Sequence, residues 1–270
     1  MKKDLKVAII QTKVPASKIE GEQQVKRLVK ETLKEPVDMV GLPEDCVTDH
    51  YDEIKSGYNA LEFLSSVAKE NKVYLFGATA VWEKDGFHNR GFLFDRTGRL
   101  IAHHDKVVLT PLEEKRGIIP GKTLEVFETE FGKMAILVCK DSFHRYAAWF
   151  FDELRNAGAD IILVPSYSLN ISKRSIELWT DSLKALAKWF DVYVVAPGTI
   201  GPNGTNFPSF GHALIICPNR VVLAEGSFDK EEIIRATLDV KSLEEIRNTY
   251  GSKWQPQEMP EVEVIIKRKK

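Results

Sequence analysis

The feature that most constrains this chain is a set of largely apolar runs of strand length. Met134 to Val138 is unbroken, and Leu5 to Ile10 and Val37 to Leu42 are largely apolar segments that each contain one charged residue. Runs without polar alternation suit strands that are covered on both faces, as in parallel sheets flanked by helices. Between the segments Leu5 to Ile10 and Val37 to Leu42, apolar residues recur at helical spacing from about Ile19 to Lys34. The start of the chain therefore predicts a βαβ unit with parallel strands.

The rest of the chain continues this alternation of strands and helices, with one exception. Phe87 to Asp95 and Leu100 to His104, joined by a turn at Thr97-Gly98, are typical of antiparallel strands. The other predicted helices are Ala60 to Glu70, Arg145 to Ala157, Ile176 to Phe190 and a short late helix with a Ser242/Glu245 capping box. The other predicted strands are Val73 to Trp82, Asp160 to Val164, Val192 to Ala196 and Glu261 to Ile266. A hairpin is predicted from Gly211 to Cys217 and Arg220 to Ala224. Without a linker or repeat in the pattern, we predict a single domain over residues 1–270, with a C-terminal tail from about residue 250.

Composition excludes several classes of protein. The formal net charge of −1 gives no overall field for nucleic acid or an anionic membrane, so neither is expected as a partner. The three cysteines, Cys46, Cys139 and Cys217, are odd in number and far apart, which argues against a disulfide framework or a thiolate zinc site. We found neither a membrane-length apolar stretch nor a signal-peptide pattern. We therefore expect a cytoplasmic protein that needs no metal or cofactor.

Three predicted strands are followed by ionisable groups of three different kinds. Glu44 follows Val37 to Leu42, Lys106 follows the strand that ends at His104, and Cys139 follows Met134 to Val138. A carboxylate, an ammonium and a thiol together can carry acyl transfer through a thioester. The carboxylate takes the thiol proton, and the ammonium stabilises the thiolate and then the oxyanion on the substrate. Taken singly, each residue has an ordinary structural interpretation, such as a buried free thiol or a surface lysine.

Three spaced motifs make the sequence resemble the nitrilase superfamily, the carbon–nitrogen hydrolases, over nearly the whole chain. Pro43-Glu44 matches the family's first motif, and Cys139-Lys140-Asp141 matches its Cys-x-Asp after an apolar strand. The family's lysine motif is matched by Lys106 with these downstream residues: Leu109, Glu114, Pro120 and Gly121. The segments GADIILVPS and FGHALIICPNR, at residues 158–166 and 210–220, also resemble family segments.

The resemblance implies a four-layer α-β-β-α sandwich and an amidase-like activity. It implies Glu44 as general base, Lys106 as stabiliser of the tetrahedral intermediate and Cys139 as nucleophile. Glu114 resembles the further family glutamate that positions substrate and lysine, and the backbone N–H of Lys140 is expected to help bind the oxyanion. The expected partner is a small-molecule amide, and the resemblance also implies a homodimer or a higher homo-oligomer.

Several alternatives stay open at this stage. Nitrile hydrolysis, carbamoyl hydrolysis, acyl transfer to an amine and a catalytically silent binding role all fit the same fold. Lys140 and His144-Arg145 depart from the residues often found after the family cysteine, so the acyl group cannot be carried over from relatives. His144 also suggests a Cys–His dyad, and the pair His103-His104 suggests a metal site, although neighbouring strand residues face opposite ways.

Overall fold

The computed structural model describes residues 1–172, 174–203 and 205–251. The strands are β1 (Leu5–Lys13), β2 (Met39–Glu44), β3 (Tyr74–Glu83), β4 (Gly86–Phe94), β5 (Leu100–Asp105), β6 (Phe127–Thr129), β7 (Gly132–Ile136), β8 (Ile161–Leu163), β9 (Tyr193–Ala196), β10 (Thr199–Gly201), β11 (Ser209–Phe210), β12 (Leu214–Ile216), β13 (Val222–Glu225) and β14 (Glu232–Leu238). The α-helices are α1 (Lys18–Thr32), α2 (Tyr51–Lys55), α3 (Ala60–Asn71), α4 (Pro111–Lys115), α5 (Ala147–Asn156), α6 (Ser175–Trp189) and α7 (Val240–Ile246). Among these described helices, none combines the length and apolarity needed to cross a bilayer.

The strands form two sheets. The first has the order β11-β10-β1-β2-β3-β4-β5, with β14 also pairing with β1, and the second has the order β13-β12-β9-β8-β7-β6. In the first sheet β1, β2 and β3 run parallel, and β3, β4 and β5 form an antiparallel meander. In the second sheet β7, β8 and β9 run parallel. The carboxyl ends of β2 and β7 carry Glu44 and Cys139, at the sheet edge where open α/β folds place ligands.

Side chains of alternating residues divide the core into three layers. Leu5, Val7 and Ile9 of β1 belong to the same buried cluster as Met134 and Ile136 of β7, so this cluster lies between the sheets. The opposite faces of the sheets are covered by helices, because successive strand residues point to opposite sides.

Each outer layer is a separate apolar cluster. Val40 and Leu42 of β2 pack with α1 and α3, and Ala135 of β7 packs with α5 and α6. The predicted α-β-β-α sandwich is thus confirmed, because helix, sheet, sheet and helix follow one another through these three clusters.

Most of the predicted helices and strands are confirmed. The elements that were not predicted are short or depend on pairing between distant parts of the chain. The strand β14 was not predicted, although it pairs antiparallel with β1 from Leu5 opposite Leu238 to Gln11 opposite Glu232. The late helix begins after Asp239, which accepts from the Ser242 backbone N–H at 2.6 Å, so the Ser242/Glu245 capping box is wrong. The predicted strand Glu261 to Ile266 lies outside the described residues.

Candidate active site

Cys139 is the first residue of a single 3₁₀ turn, Cys139–Ser142, which follows β7. Its backbone has φ of 47°, in the left-handed region that non-glycine residues rarely occupy. Its N–H donates to the Pro165 carbonyl at 3.0 Å, which ties the turn to the end of β8. Such strain persists only where the surrounding structure enforces it, and it recurs at functional sites.

Glu44, the last residue of β2, is almost fully buried and has three hydrogen-bond donors. Its Oε1 accepts from Lys106 Nζ at 2.8 Å and from Asn89 Nδ2 at 2.6 Å. Among the described residues, its Oε2 accepts from one donor, the backbone N–H of Tyr167, at 2.9 Å. Since a carboxylate oxygen accepts about two hydrogen bonds, Oε2 keeps the capacity to receive a proton.

Lys106 follows β5 directly and is among the most buried large side chains, with 1% exposure. Its Nζ lies 2.8 Å from Oε1 of Glu44 and 2.8 Å from Oε1 of Glu113. Burial works against the ammonium, but the negative charges of Glu44 and Glu113 raise the pKa of Lys106 well above its usual value. Lys106 is therefore a fixed cation inside the protein, not a surface lysine.

The glutamate that meets Lys106 is Glu113, not Glu114. Thr110 caps α4, and Glu113 is the third helical residue of a capping box, with Oε2 accepting from the Thr110 N–H at 2.7 Å. Its Oε1 accepts from Lys106 and from Asn89 Nδ2 at 2.7 Å, while Glu114 is exposed. Burial alone raises the pKa of Glu113, but the Lys106 charge and the hydrogen bonds lower it, so this carboxyl is ionised.

Glu44, Lys106 and Cys139 line one cavity of about 40 Å³. The other lining residues are Asp45, Asp49, Tyr51, Thr110, Leu112, Glu113, Arg116, Tyr167, Leu169 and Thr205. This small volume suits a compact ligand. Burial, followed by the Glu44 charge, raises the pKa of the Cys139 thiol above its usual value, and Lys106 only partly offsets this. The resting nucleophile is therefore a thiol, which needs a base at the moment of attack.

Asp141 joins the turn that begins at Cys139 to the segment that carries Lys106. Its Oδ1 accepts from the N–H groups of Val107 and Val108 at 3.1 and 2.7 Å. Its Oδ2 meets His104 Nε2 at 2.9 Å and accepts from the Val138 N–H at 3.1 Å. The carboxylate is completely buried, and its four contacts join the edge of the first sheet to the nucleophile turn of the second.

The remaining predicted residues have simpler surroundings. Lys140 lies in the 3₁₀ turn after Cys139, and its Nζ donates to the Leu109 carbonyl at 2.5 Å. The backbone N–H groups at the start of such a turn lack an intrahelical acceptor, which leaves that of Lys140 suited to bind an oxyanion. His144 does not line the cavity; its ring packs 4.9 Å from that of Tyr146, which gives no support to a Cys–His dyad.

The structure gives no support to the His103-His104 metal site, because His104 pairs with Asp141 and His103 is exposed. Within the described ranges, the side chains of Glu83, Asp85 and His88 do lie within 4.8 Å of one another. That cluster is largely exposed, and Glu83 pairs with Arg90, so nothing there indicates a bound ion.

Sequence reasoning missed four contributors to the site. Asn89 and the Tyr167 N–H orient Glu44 from distant parts of the chain, so no local pattern indicates them. The same holds for the pairing of His104 with Asp141. Glu113 did carry a local signal, since Thr-Pro-x-Glu is a capping box with proline at the first helical position.

Comparison with known proteins finds similarity over most of the chain. A family model described as "Carbon-nitrogen hydrolase" matches residues 6–248. An omega-amidase of Xenopus laevis is 26% identical over 258 residues, which cover 90% of this chain and 91% of the relative. A carbon–nitrogen hydrolase structure from Helicobacter pylori G27 superposes with a TM-score of 0.83 at 20% identity, covering 94% of this chain and 96% of that one.

A variant of an amidase from Nesterenkonia sp. AN1 is also similar in fold. Its TM-score is 0.76 at 18% identity, with 94% of this chain and 98% of that chain covered. That structure shows the acetamide moiety of fluoroacetamide covalently added at the active-site cysteine of the amidase.

Proposed function

Because the chain belongs to the carbon–nitrogen hydrolase family, we propose that it hydrolyses a small primary amide to a carboxylic acid and ammonia, through a thioester on Cys139. The observation that carries the proposal is that a thiol, a buried carboxylate and a buried ammonium line one small cavity. The similarity to omega-amidases favours amides over nitriles or carbamoyl compounds. The cysteine adduct of the amidase relative is a precedent for a nucleophilic thiol in this fold.

Acylation begins with transfer of the Cys139 proton to Glu44. Oε2 of Glu44 is the oxygen with spare acceptor capacity, since Oε1 is occupied by Lys106 and Asn89. As the S–H bond breaks, sulfur forms a bond to the amide carbon, and the carbonyl π electrons move onto oxygen. The Lys106 ammonium and the Lys140 N–H stabilise that oxyanion.

Glu44 then returns the proton to the amide nitrogen, the C–N bond breaks and ammonia leaves. A water molecule gives its proton to the same carboxylate and attacks the thioester carbonyl. The second tetrahedral intermediate collapses with cleavage of the C–S bond, and the thiolate recovers the proton from Glu44. The products are the acid and the free thiol, so the steps balance without a cofactor.

Glu113 is the positioning residue of this scheme, in the role that the sequence motif suggested for Glu114. It supplies the second carboxylate on Lys106, and its capping box fixes its own orientation. With Glu44 and Glu113 on either side, the ammonium has a defined place before substrate enters, which lowers the reorganisation needed during attack.

The experiment is an ammonia-release screen over a panel of amides, nitriles and carbamoyl compounds. Cys139→Ser and Cys139→Ala should lose at least about 10³-fold in kcat, as other nucleophile deletions do. The matched control is Cys217→Ala, since Cys217 lies in the core between the sheets and does not line the cavity. Circular dichroism checks that each variant folds. Near-normal turnover by both Cys139 variants would contradict the mechanism, and a nitrile preferred about tenfold would contradict the choice of amides.

A homodimer stays a prediction. On α5 the aromatic residue Trp149 is 56% exposed, and Tyr146 just before the helix is 45% exposed, which suits a contact between copies. Phe150 and Phe151 are buried instead and belong to the core cluster under the helix. Light scattering at micromolar concentration should give about twice the 30.6 kDa chain mass or a multiple of it. A stable monomer would reject the prediction.

A further inference from the structure

Asp45 is a buried acid that the catalytic scheme does not use. It lines the cavity beside Cys139 and is 6% exposed. Its Oδ1 is fully shielded and has no hydrogen-bond partner among the described residues. Burying a carboxyl group without a partner is unfavourable, so an unpartnered one in a cavity wall calls for an explanation.

The backbone at this position places two consecutive carboxyl groups on the same cavity. Successive residues of a strand point to opposite faces, so Glu44 at the end of β2 would normally turn its neighbour away. Asp45 has φ of 54°, in the left-handed region, and this breaks the alternation. Its N–H donates to the Ala78 carbonyl of β3 at 2.9 Å, which holds the conformation. Asp45 therefore lines the cavity together with Glu44.

The charges around the cavity are unbalanced toward acid. The lining includes four carboxyl groups but only one ammonium and one guanidinium: Glu44, Asp45, Asp49 and Glu113 against Lys106 and Arg116. Both contacts of the ammonium go to Glu44 and Glu113, so it neutralises neither Asp45 nor Asp49 directly. Arg116 is exposed and lies 4.8 Å from the centre of the Tyr51 ring.

Asp49 adds a second acid with spare acceptor capacity. The Tyr167 hydroxyl lies 3.3 Å from its Oδ2, and the same hydroxyl is 3.4 Å from the Asn203 carbonyl. One phenolic proton cannot serve both acceptors at once. Burial and the charges of Glu44 and Asp49 raise the pKa of Asp45, which a bound cation would reverse.

We infer that Asp45, with Asp49 behind it, forms a subsite for a protonated amine, so that the substrate is a small amide carrying an ammonium group a few atoms from the scissile carbonyl. The inference rests on the proposed amide hydrolysis and adds the substrate class. An ammonium supplies up to three donors and no acceptor, which matches the acid excess of the lining and the Asp45 carboxyl group in the cavity wall. Because Asp45 directly follows Glu44, the ammonium lies close to the reacting carbon, in keeping with the small cavity volume.

The test compares three amides that share two methylene groups and differ only at the far end. These probes are β-alaninamide, butyramide and succinamate, whose ends are cationic, neutral and anionic near pH 7. In wild-type protein, kcat/KM for β-alaninamide should exceed that for butyramide by about 10- to 100-fold, the range for one charge-assisted hydrogen bond. Succinamate should be the poorest of the three. A preference for butyramide or succinamate would overturn the inference, and the latter would point to Arg116 instead.

The variant Asp45→Asn removes the charge and keeps a residue that tolerates the left-handed conformation. The ratio of kcat/KM for β-alaninamide to that for butyramide should fall about tenfold or more. The matched control Asp52→Asn makes the same change at an exposed residue of α2, and its ratio should stay at the wild-type value. An unchanged ratio in Asp45→Asn would reject the subsite, and the wild-type ranking stands as a test even if this variant does not fold.

Failure of the proposed function is distinguishable from failure of the subsite. If wild-type protein releases ammonia from none of the three amides, the proposed hydrolysis fails. Calorimetric titration of Cys139→Ala with β-alaninamide and butyramide still reports the subsite, because binding does not require the thiol. Tighter binding of β-alaninamide supports the subsite, and equal or weaker binding refutes it.

Discussion

Asp141 provides the sharpest test of how the two sheets hold the site together. Each of its carboxylate oxygens has two hydrogen-bond partners, and the side chain has no exposed surface. We consider Asp141→Asn, which keeps the shape and replaces one acceptor oxygen by an NH₂ group. The amide oxygen can keep the N–H groups of Val107 and Val108, since it retains two lone pairs.

The expected fall in the free energy of unfolding depends on the groups that the NH₂ group then contacts. One of its hydrogens can be accepted by His104 Nε2 if the imidazole takes the tautomer protonated on Nδ1. The other meets the N–H of Val138, so two buried donors lose their acceptors. At about 1–3 kcal/mol for each unsatisfied buried group, the free energy of unfolding should fall by about 2–6 kcal/mol. Turning the amide the other way is worse, because both Val107 and Val108 then face donors.

Urea denaturation measures the change, with Asp152→Asn as control. Asp152 is exposed on α5, so its substitution should alter the free energy of unfolding by less than about 0.5 kcal/mol. We also expect kcat/KM to fall by about 10²-fold, because small misplacements of Lys106 relative to Cys139 are costly. If Asp141→Asn changes stability no more than Asp152→Asn, the four contacts do not hold the sheets as argued.

Two further predictions address the catalytic groups. Glu113→Gln should lower kcat/KM by about 10²-fold, because its amide cannot accept from both Lys106 and the Thr110 N–H. In the control Glu114→Gln, kcat/KM should stay within about twofold of the wild-type value. Similar values for both variants would contradict the assignment of Glu113. Since burial and the Glu44 charge raise the pKa of Cys139, its alkylation by iodoacetamide should keep accelerating from about pH 7 to about pH 10. Glu44→Gln removes the base that takes the thiol proton, so amide turnover should fall; a rate plateau below about pH 7 in wild-type protein would show that the thiol is already ionised.

The sequence alone predicted parallel strands covered by helices and three candidate reactive groups, and the family resemblance implied the four-layer sandwich. Apolar runs without alternation required strands covered on both faces, and helical periodicity supplied the covering layers. Glu44, Lys106 and Cys139 were indicated because each follows a predicted strand, and the motifs place each at a definite position in the chain. These signals are local, which is why a single sequence carries them.

Tertiary structure decided what surrounds those groups. Motif spacing pointed to Glu114, but the helical phase of α4, set by the cap at Thr110, turns Glu113 toward Lys106. The pairing of β14 with β1 joins residues more than 200 positions apart, which no local period encodes. Asp45 shows the limit most clearly, because strand alternation predicts that it points away from Glu44. Only the left-handed backbone, held by β3, brings both carboxyl groups to one cavity.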